Sequence, residues 1–331
     1  MESQYLELVK RVLDDGEAVE GRNGPVRRVI GAQLRGSLEG GCVPFVTTKK
    51  LAWRTCLREL LWFVSGSTDA CELERQGVRI WRANGSREFL DSAGFVDRRE
   101  GDLGPVYGHQ WRHAGAPYTS ADTDYAGKGV DQLGAVVAAL KDPAQWGSRR
   151  LVVCSWNASQ VSEMALPPCH VLMQFHVTHG NDLSCSVYQR SADVGLGLPF
   201  NLASYGMLVH MLAAHCGLRA RELVYHLGDV HIYEQHVAAL RGQLERQPGP
   251  SPKVTVQRHA SLDDYTEADF EVTGYESAGP IAKYLFLPTA RWPTTRTARF
   301  LRLATAVESM WCRWRSTCRA DLMCIAVRGC T

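Results

Sequence analysis

The run Pro167-Pro168-Cys169-His170 sets a thiol behind two prolines that narrow the freedom of the backbone before it. A thiolate is a strong nucleophile when nearby cations lower its pKa, and His170 is adjacent. Taken alone, such a Cys-His pair is open between a structural and a catalytic reading. A metal site has less support, because no second ligand pair stands at suitable spacing. Arginines beside turn or polar residues form a second constellation: Arg22, the Arg149-Arg150 pair, and Arg190 followed by Ser191. Guanidinium forks suit phosphate dianions, and the Ser191 hydroxyl adds a donor, so a phosphorylated small substrate is the chemistry they suggest. A third residue, Glu59, lies inside the apolar run Arg58-Glu-Leu-Leu-Trp-Phe63. A carboxylate there is either paired with a neighbouring arginine or poised as a general acid or base with a raised pKa.

These groups need elements to hold them. Tyr5–Leu13 has apolar residues at helical spacing, Arg27–Leu34 is strand-like, and Leu51–Val64 reads as an almost wholly apolar helix. Ser67-Thr68-Asp69 offers caps for a short helix ending near Gly77. Residues 83–130 are rich in Gly, Asp, Ser and Tyr and are expected to be long surface loops. Gln132–Leu140 reads as a helix closed by Asp142-Pro143. Leu151–Trp156, His170–Val177 and Leu183–Gln189 are β-rich, Ser204–Cys216 and Ile232–Leu244 read as helices, and Lys253–Gln257 and Phe270–Val272 as late strands. Val194–Leu218 lacks Asp, Glu, Lys and Arg, but its Pro199, Asn201, His210 and His215 favour a buried loop and core helix over a membrane span. Gly195-Leu-Gly-Leu-Pro199 lacks the third glycine and the strand–turn–helix context of a dinucleotide fingerprint.

The chain has 331 residues, 45% hydrophobic and 22% charged, which is ordinary globular composition. Its net charge of +2 forces no nucleic-acid or membrane partner. Lys283–Thr331 carries nine basic and two acidic residues, whereas the rest carries 28 basic and 33 acidic. An acidic body therefore bears a basic tail. Of eleven cysteines, seven are scattered in the body without Cys-x-x-Cys spacing, as expected for thiols in a reducing compartment. No signal-peptide apolar region opens the chain, so a cytoplasmic location, with nuclear presence allowed, is the expectation. The pattern through about residue 280 reads as one mixed α/β domain.

At Ala165-Leu-Pro-Pro-Cys-His170 the sequence resembles the thymidylate synthase family. The supporting strings are Glu59-Leu-Leu-Trp-Phe63, Gly101-Asp-Leu-Gly-Pro-Val-Tyr-Gly108, Gln189-Arg-Ser191, Gly195-Leu-Gly-Leu-Pro-Phe-Asn201 and His231-Ile-Tyr233, in the family's order over roughly residues 5 to 281. The inserts around 87–99 and 113–129 resemble the animal and animal-virus branch. The resemblance implies an α/β (α+β) fold, one large mixed sheet flanked by helices, with two sheets packed back to back in an obligate homodimer. It implies reductive methylation of dUMP to dTMP, with 5,10-methylenetetrahydrofolate as a consumed cosubstrate that gives dihydrofolate, and with no metal or nicotinamide.

The resemblance also implies roles. Cys169 attacks uracil C6, Arg190 favours the thiolate and holds phosphate, Glu59 acts through water at O4, and Tyr107 helps to remove the C5 proton. His170 is a positioning residue. Asn201 reads the base, Gln189 and Asp193 belong to the same substrate site, and His231 and Tyr233 bind the ribose 3′-hydroxyl. Arg22, Arg190 and Ser191 meet phosphate, with Arg149 and Arg150 reaching into the other subunit's site. Ile80, Trp81, Asn84, Leu196, Gly197 and Phe200 line the folate pocket, Asp193 bonds the pterin, and Lys49 faces the glutamyl tail.

Departures from the family pattern are Gly21 for an Asp, Arg82 for an Asp, and His109 for an aromatic or Lys. The familiar ending begins at Gly279-Pro-Ile281 and is lost from Ala282 onward. Residues 1–281 are thus expected to form the catalytic domain, and 282–331 an atypical basic tail, disordered or foreign to the family, with turnover reduced and nucleotide binding kept. Its four cysteines at six-residue spacing match no zinc-finger rule, and its Trp311, Trp314 and arginines would suit RNA or a membrane surface. Competing readings are a pyrimidine hydroxymethylase of the same family and a non-enzymatic dimer that binds nucleotide or RNA. Intact Cys169, Glu59, Arg190 and Asn201 weigh against the last.

Overall fold

The computed structural model describes residues 1–21 and 23–281. Arg22 and the 282–331 tail, with the expectations attached to them, lie outside the described residues. The elements in order are α1 (Glu2–Asp15), β1 (Glu17–Gly21), β2 (Gly24–Ser37), α2 (Trp53–Val64), α3 (Ala70–Arg75), α4 (Arg82–Gly85), α5 (Arg87–Ser92), α6 (Tyr107–His113) and α7 (Gln132–Leu140). There follow β3 (Val152–Cys154), β4 (His170–Thr178), β5 (Asp182–Asp193), α8 (Gly197–Cys216), β6 (Arg219–Tyr233), α9 (Val237–Leu244), β7 (Lys253–Val256) and β8 (Phe270–Thr273).

Six strands form one mixed sheet in the order β1-β2-β6-β5-β4-β3, and β7 pairs with β8 separately. Its neighbours run antiparallel except β5 and β6, which are parallel at the centre. Returning parallel from β5 to β6 requires a crossover, and α8 supplies it. This helix is apolar nearly all round, as a fully enclosed helix must be. It packs on β5 and β6, with α2 against it. On the sheet's inner face, alternation buries Leu183, Cys185 and Val187 of β5 and Leu223, Tyr225 and Leu227 of β6. The opposite face leaves large apolar side chains in solvent, with Ile30 67% and Tyr188 41% exposed. Among the described residues no helix is long and apolar enough to cross a membrane.

Three expectations are corrected. Residues 83–130 are not simply surface loops: they hold α4, α5 and α6, and Gly101–Trp111 is buried throughout. Second, α8 begins at Gly197, seven residues before Ser204, because Pro199 falls in the first turn, where its missing N–H costs nothing. Third, Ile232 and Tyr233 end a fifteen-residue strand, and the helix starts only at Val237. That strand, β6, and the short edge strand β1 were not anticipated.

Candidate active site

The candidate groups gather at the C-terminal ends of the parallel pair β5 and β6, where open α/β sheets present crevices. The register sets Ser191 beside Asp229 and Asp193 beside His231. Strand β4 runs antiparallel to β5, so its first residue, His170, pairs with Gln189 and Cys169 stands at the same end. A bulge falls between His170 and Leu172, one of the places where sheets re-aim a side chain.

Cys169 is held from three directions. Its carbonyl accepts the Arg190 backbone N–H at 2.9 Å. Its own N–H donates to the Tyr107 hydroxyl at 2.7 Å. Before it, Arg190 donates from Nε to the Pro168 carbonyl at 2.8 Å and from Nη2 to Pro167 at 3.0 Å. The proline pair offers carbonyls without competing N–H groups, and the guanidinium fork takes both. The Arg190 guanidinium also lies 5.4 Å from the Trp156 ring centre.

His170 is buried between the Tyr107 and Tyr205 rings, and burial pulls its pKa down to about 4 despite a hydrogen bond with Asn201. Desolvation keeps the ring neutral at neutral pH. Gln189 donates to the Asn201 Oδ1 at 3.1 Å and to the Ser191 carbonyl at 2.8 Å. Among the described residues, the enclosed atoms Gln189 Oε1 and His170 Nδ1 have no hydrogen-bond partner. Both atoms are left able to pair with a polar ligand.

Glu59 resolves an alternative left open by the sequence. Its neighbour Arg58 turns to Glu267, and the Glu59 carboxylate instead accepts the Trp81 indole N–H at 2.7 Å. Burial raises its pKa to about 7, and the indole bond opposes that rise. Trp81 packs edge-on against Tyr107, 6.2 Å between ring centres, so the Glu59 carboxyl, the indole, the phenol and the Cys169 backbone N–H form one continuous series. Burial pushes the Tyr107 hydroxyl far above its ordinary range, which keeps it protonated.

Asp193 Oδ1 accepts the Gly195 and Leu196 N–H groups at 2.8 and 3.1 Å, which shapes the turn into α8. His231 bonds through Nδ1 to Asp229 at 2.9 Å and lies edge-on to Tyr233. Leu196, Gly197 and Phe200 are half-buried in this turn and the first part of α8. Ile80 is half-buried just before Trp81, and Asn84 is buried in α4. Arg149 and Arg150 are exposed immediately before β3, at the far edge of the sheet. Lys49 is buried, its ammonium on the Gly195 carbonyl at 2.6 Å. A cavity of about 660 Å³ lined by residues such as Ser67, His109, Arg112 and Tyr125 contains none of the expected site residues.

Sequence reasoning missed Asp229, Arg28, Glu2 and Arg246. Asp229 and His231 are two apart on a strand and share a face, so the alternation carried that signal. Arg28, on the adjacent strand β2, lies 3.6 Å from Asp229. Among the described residues no group of three or more His, Cys, Asp or Glu is placed to hold a metal ion.

A family model described as thymidylate synthase matches residues 3–286. The chain belongs to the thymidylate synthase family. The thymidylate synthase of Ascaris suum is 49% identical over 282 residues, 85% of this chain and 95% of that protein. The human thymidylate synthase is 48% identical over 276 residues, 83% of this chain and 87% of its own. That of human herpesvirus 8 is 49% identical over 276 residues, covering 83% and 81%.

Proposed function

We propose that the protein catalyses the reductive methylation of dUMP to dTMP, with 5,10-methylenetetrahydrofolate giving both the one-carbon unit and the hydride and leaving as dihydrofolate. The observation that carries this reading is the series Glu59–Trp81–Tyr107–Cys169, with Arg190 locked behind the thiol. In it, the Cys169 thiolate adds to uracil C6 and turns C5 into a nucleophilic enolate. Glu59, with a pKa near neutrality, exchanges a proton through water with the developing charge at O4. Tyr107 stays protonated and assists loss of the C5 proton by way of water. His170, neutral and enclosed, orients Asn201 and serves as a positioning group.

Asn201 and Gln189 share a hydrogen bond that leaves the Gln189 carbonyl open, which suits a pyrimidine edge offering N3–H and O4. His231 and Tyr233 take the ribose 3′-hydroxyl, and Arg22, Arg190 and Ser191 the phosphate. Trp81, Ile80, Asn84, Leu196, Gly197 and Phe200 form the folate side, with Asp193 on the pterin. The bare sheet face with Ile30 and Tyr188 is read as the surface on which a second copy packs, bringing its Arg149 and Arg150 to the phosphate. Residues 1–281 are the catalytic domain in this reading and 282–331 an appended tail.

The test is incubation of the full chain with dUMP and methylenetetrahydrofolate, nucleotides being resolved by chromatography and dihydrofolate followed by absorbance. Equimolar dTMP and dihydrofolate are expected, and both vanish in Cys169→Ser. Hydroxymethyl-dUMP without dihydrofolate, or no product, overturns the reading.

A further inference from the structure

We infer that Gln110 is a positioning residue for Tyr107: its buried amide anchors the peptide just before α6 and so fixes the phenol beside Cys169. The inference rests on the part in C5 proton loss proposed above for Tyr107. Tyr107 is the first residue of α6, and the residue before it, Val106, offers no side-chain hydrogen bond to cap the helix. The first turn of an uncapped helix frays easily. Here that turn begins with the residue whose hydroxyl accepts the Cys169 N–H.

Gln110 is 1% exposed and reaches back along α6. Its Nε2 donates to the Pro105 carbonyl at 3.0 Å and to Gln160 Oε1 at 3.0 Å. A carbonyl only accepts, so the contact with Pro105 fixes which end of the amide faces it. Asn157 Nδ2 donates to Gln110 Oε1 at 3.3 Å and to Gln160 Oε1 at 2.9 Å. Gln160 Nε2 donates to the Ala116 carbonyl at 2.9 Å, beyond the other end of α6. The Gln110 backbone is held as well. Its carbonyl accepts Gln132 Nε2 of α7 at 2.6 Å, and the same Gln132 amide donates to the Cys154 carbonyl at 2.8 Å and accepts the Cys154 N–H at 3.0 Å. Gln110 is thus tied to α7, to β3 and to the segment after β3, while its side chain holds the peptide that enters α6. A buried acceptor that loses its donor draws its peptide toward another one. A shift at Pro105 carries Tyr107 with it, and proton transfer needs groups within hydrogen-bond reach.

The test follows dTMP formation by the full chain and its Gln110→Met variant, with dUMP and with dUMP carrying deuterium at C5. Methionine keeps the length of the side chain and loses its hydrogen bonds. Loss of the C5 proton breaks a C–H bond, so slowing that step enlarges the ratio of the two rates. A positioning role predicts kcat lowered about tenfold or more, KM for dUMP kept within about twofold, and an isotope ratio above that of the unaltered chain. A merely structural role leaves fewer working molecules, which lowers kcat without moving the ratio. An unchanged ratio, or an unchanged kcat, overturns the inference. If Gln110→Met does not fold, Gln160→Met removes the acceptor that orients the Gln110 amide. A raised ratio in that variant supports the inference, and the unaltered chain's ratio overturns it. If the unaltered chain itself forms no dTMP, the proposed function fails and this inference falls with it. Turnover by the unaltered chain beside an unmoved ratio in the variants overturns the inference alone.

Discussion

Replacing Glu59 by Gln should make the protein more stable at alkaline pH while abolishing turnover. Glu59 titrates near 4.5 when exposed and at about 7 in the folded chain, because burial penalises its charged form. Below 4.5 both folded and unfolded chains hold the proton, and its contribution is fully present. As pH climbs from 4.5 toward 7, the unfolded chain releases the proton and the folded chain does not. Folding stability is therefore lost across that window and levels off above 7. At about 1.4 kcal/mol per pKa unit, the shift corresponds to roughly 3 kcal/mol between pH 4 and pH 8.

Glutamine has the shape of the acid, keeps an oxygen for the Trp81 indole, and carries no charge to desolvate. The assay is urea unfolding of both proteins from pH 4 to pH 8 at one protein concentration, since assembly would shift apparent stability. Other titrating groups act alike on both chains and cancel in the difference. The Gln variant should gain about 3 kcal/mol on the parent across the range, with most of the change between pH 4.5 and 7. A difference constant within about 0.5 kcal/mol would refute the reasoning, because the carboxyl would then titrate alike folded and unfolded.

Three further outcomes follow from the geometry. Arg190→Lys cannot take the Pro167 and Pro168 carbonyls with one planar fork, so kcat for dTMP formation should fall at least tenfold; a fall under twofold, measured by dihydrofolate absorbance, contradicts this. Asp229→Asn removes the carboxylate from His231 Nδ1, and the affinity for dUMP should drop about tenfold. The nucleotide lacking the 3′-hydroxyl should be nearly unaffected, and calorimetric titration showing equal losses for both would exclude a ribose role. Gly206→Ala, inside α8, would put a Cβ 2.4 Å from the Pro44 ring. Overpacking of about 1–3 kcal/mol outweighs the roughly 1 kcal/mol of helix propensity gained, so thermal denaturation should occur at lower temperature.

Much of the site was legible because its chemistry is written in adjacent residues. The proline pair, the thiol and the Gln189-Arg-Ser191 string need no long-range information to be noticed, and their strands alternate or run apolar in the usual way. What escaped notice depends on distant partners. Strand β6 hides because its inward Leu223, Tyr225 and Leu227 are interleaved with Glu222, His226 and Gly228, and because Arg190 approaches it closely. A Cβ at Gly228 would lie 2.8 Å from the Arg190 carbonyl, so the glycine that weakens the strand signal is required by the neighbouring strand that carries the site. Residues 101–111 read as surface loop because Gly101, Asp102, Gly104, His109 and Gln110 are polar or small. Yet Asp102, His109 and Gln110 are buried. Asp102 accepts the Gly104 N–H and the Tyr118 hydroxyl, and Gln110 donates to the Pro105 carbonyl. Burial there rests on hydrogen bonds satisfied inside the fold, which hydropathy does not record. The same physics governs Glu59: an acid within an apolar helix is ambiguous in sequence, and it is burial in the folded chain, opposed by the indole bond from Trp81 22 positions away, that makes it a group titrating near neutrality. Residue types therefore disclose which chemistry is available, whereas the pKa at which it operates is set by contacts that the chain makes only once folded.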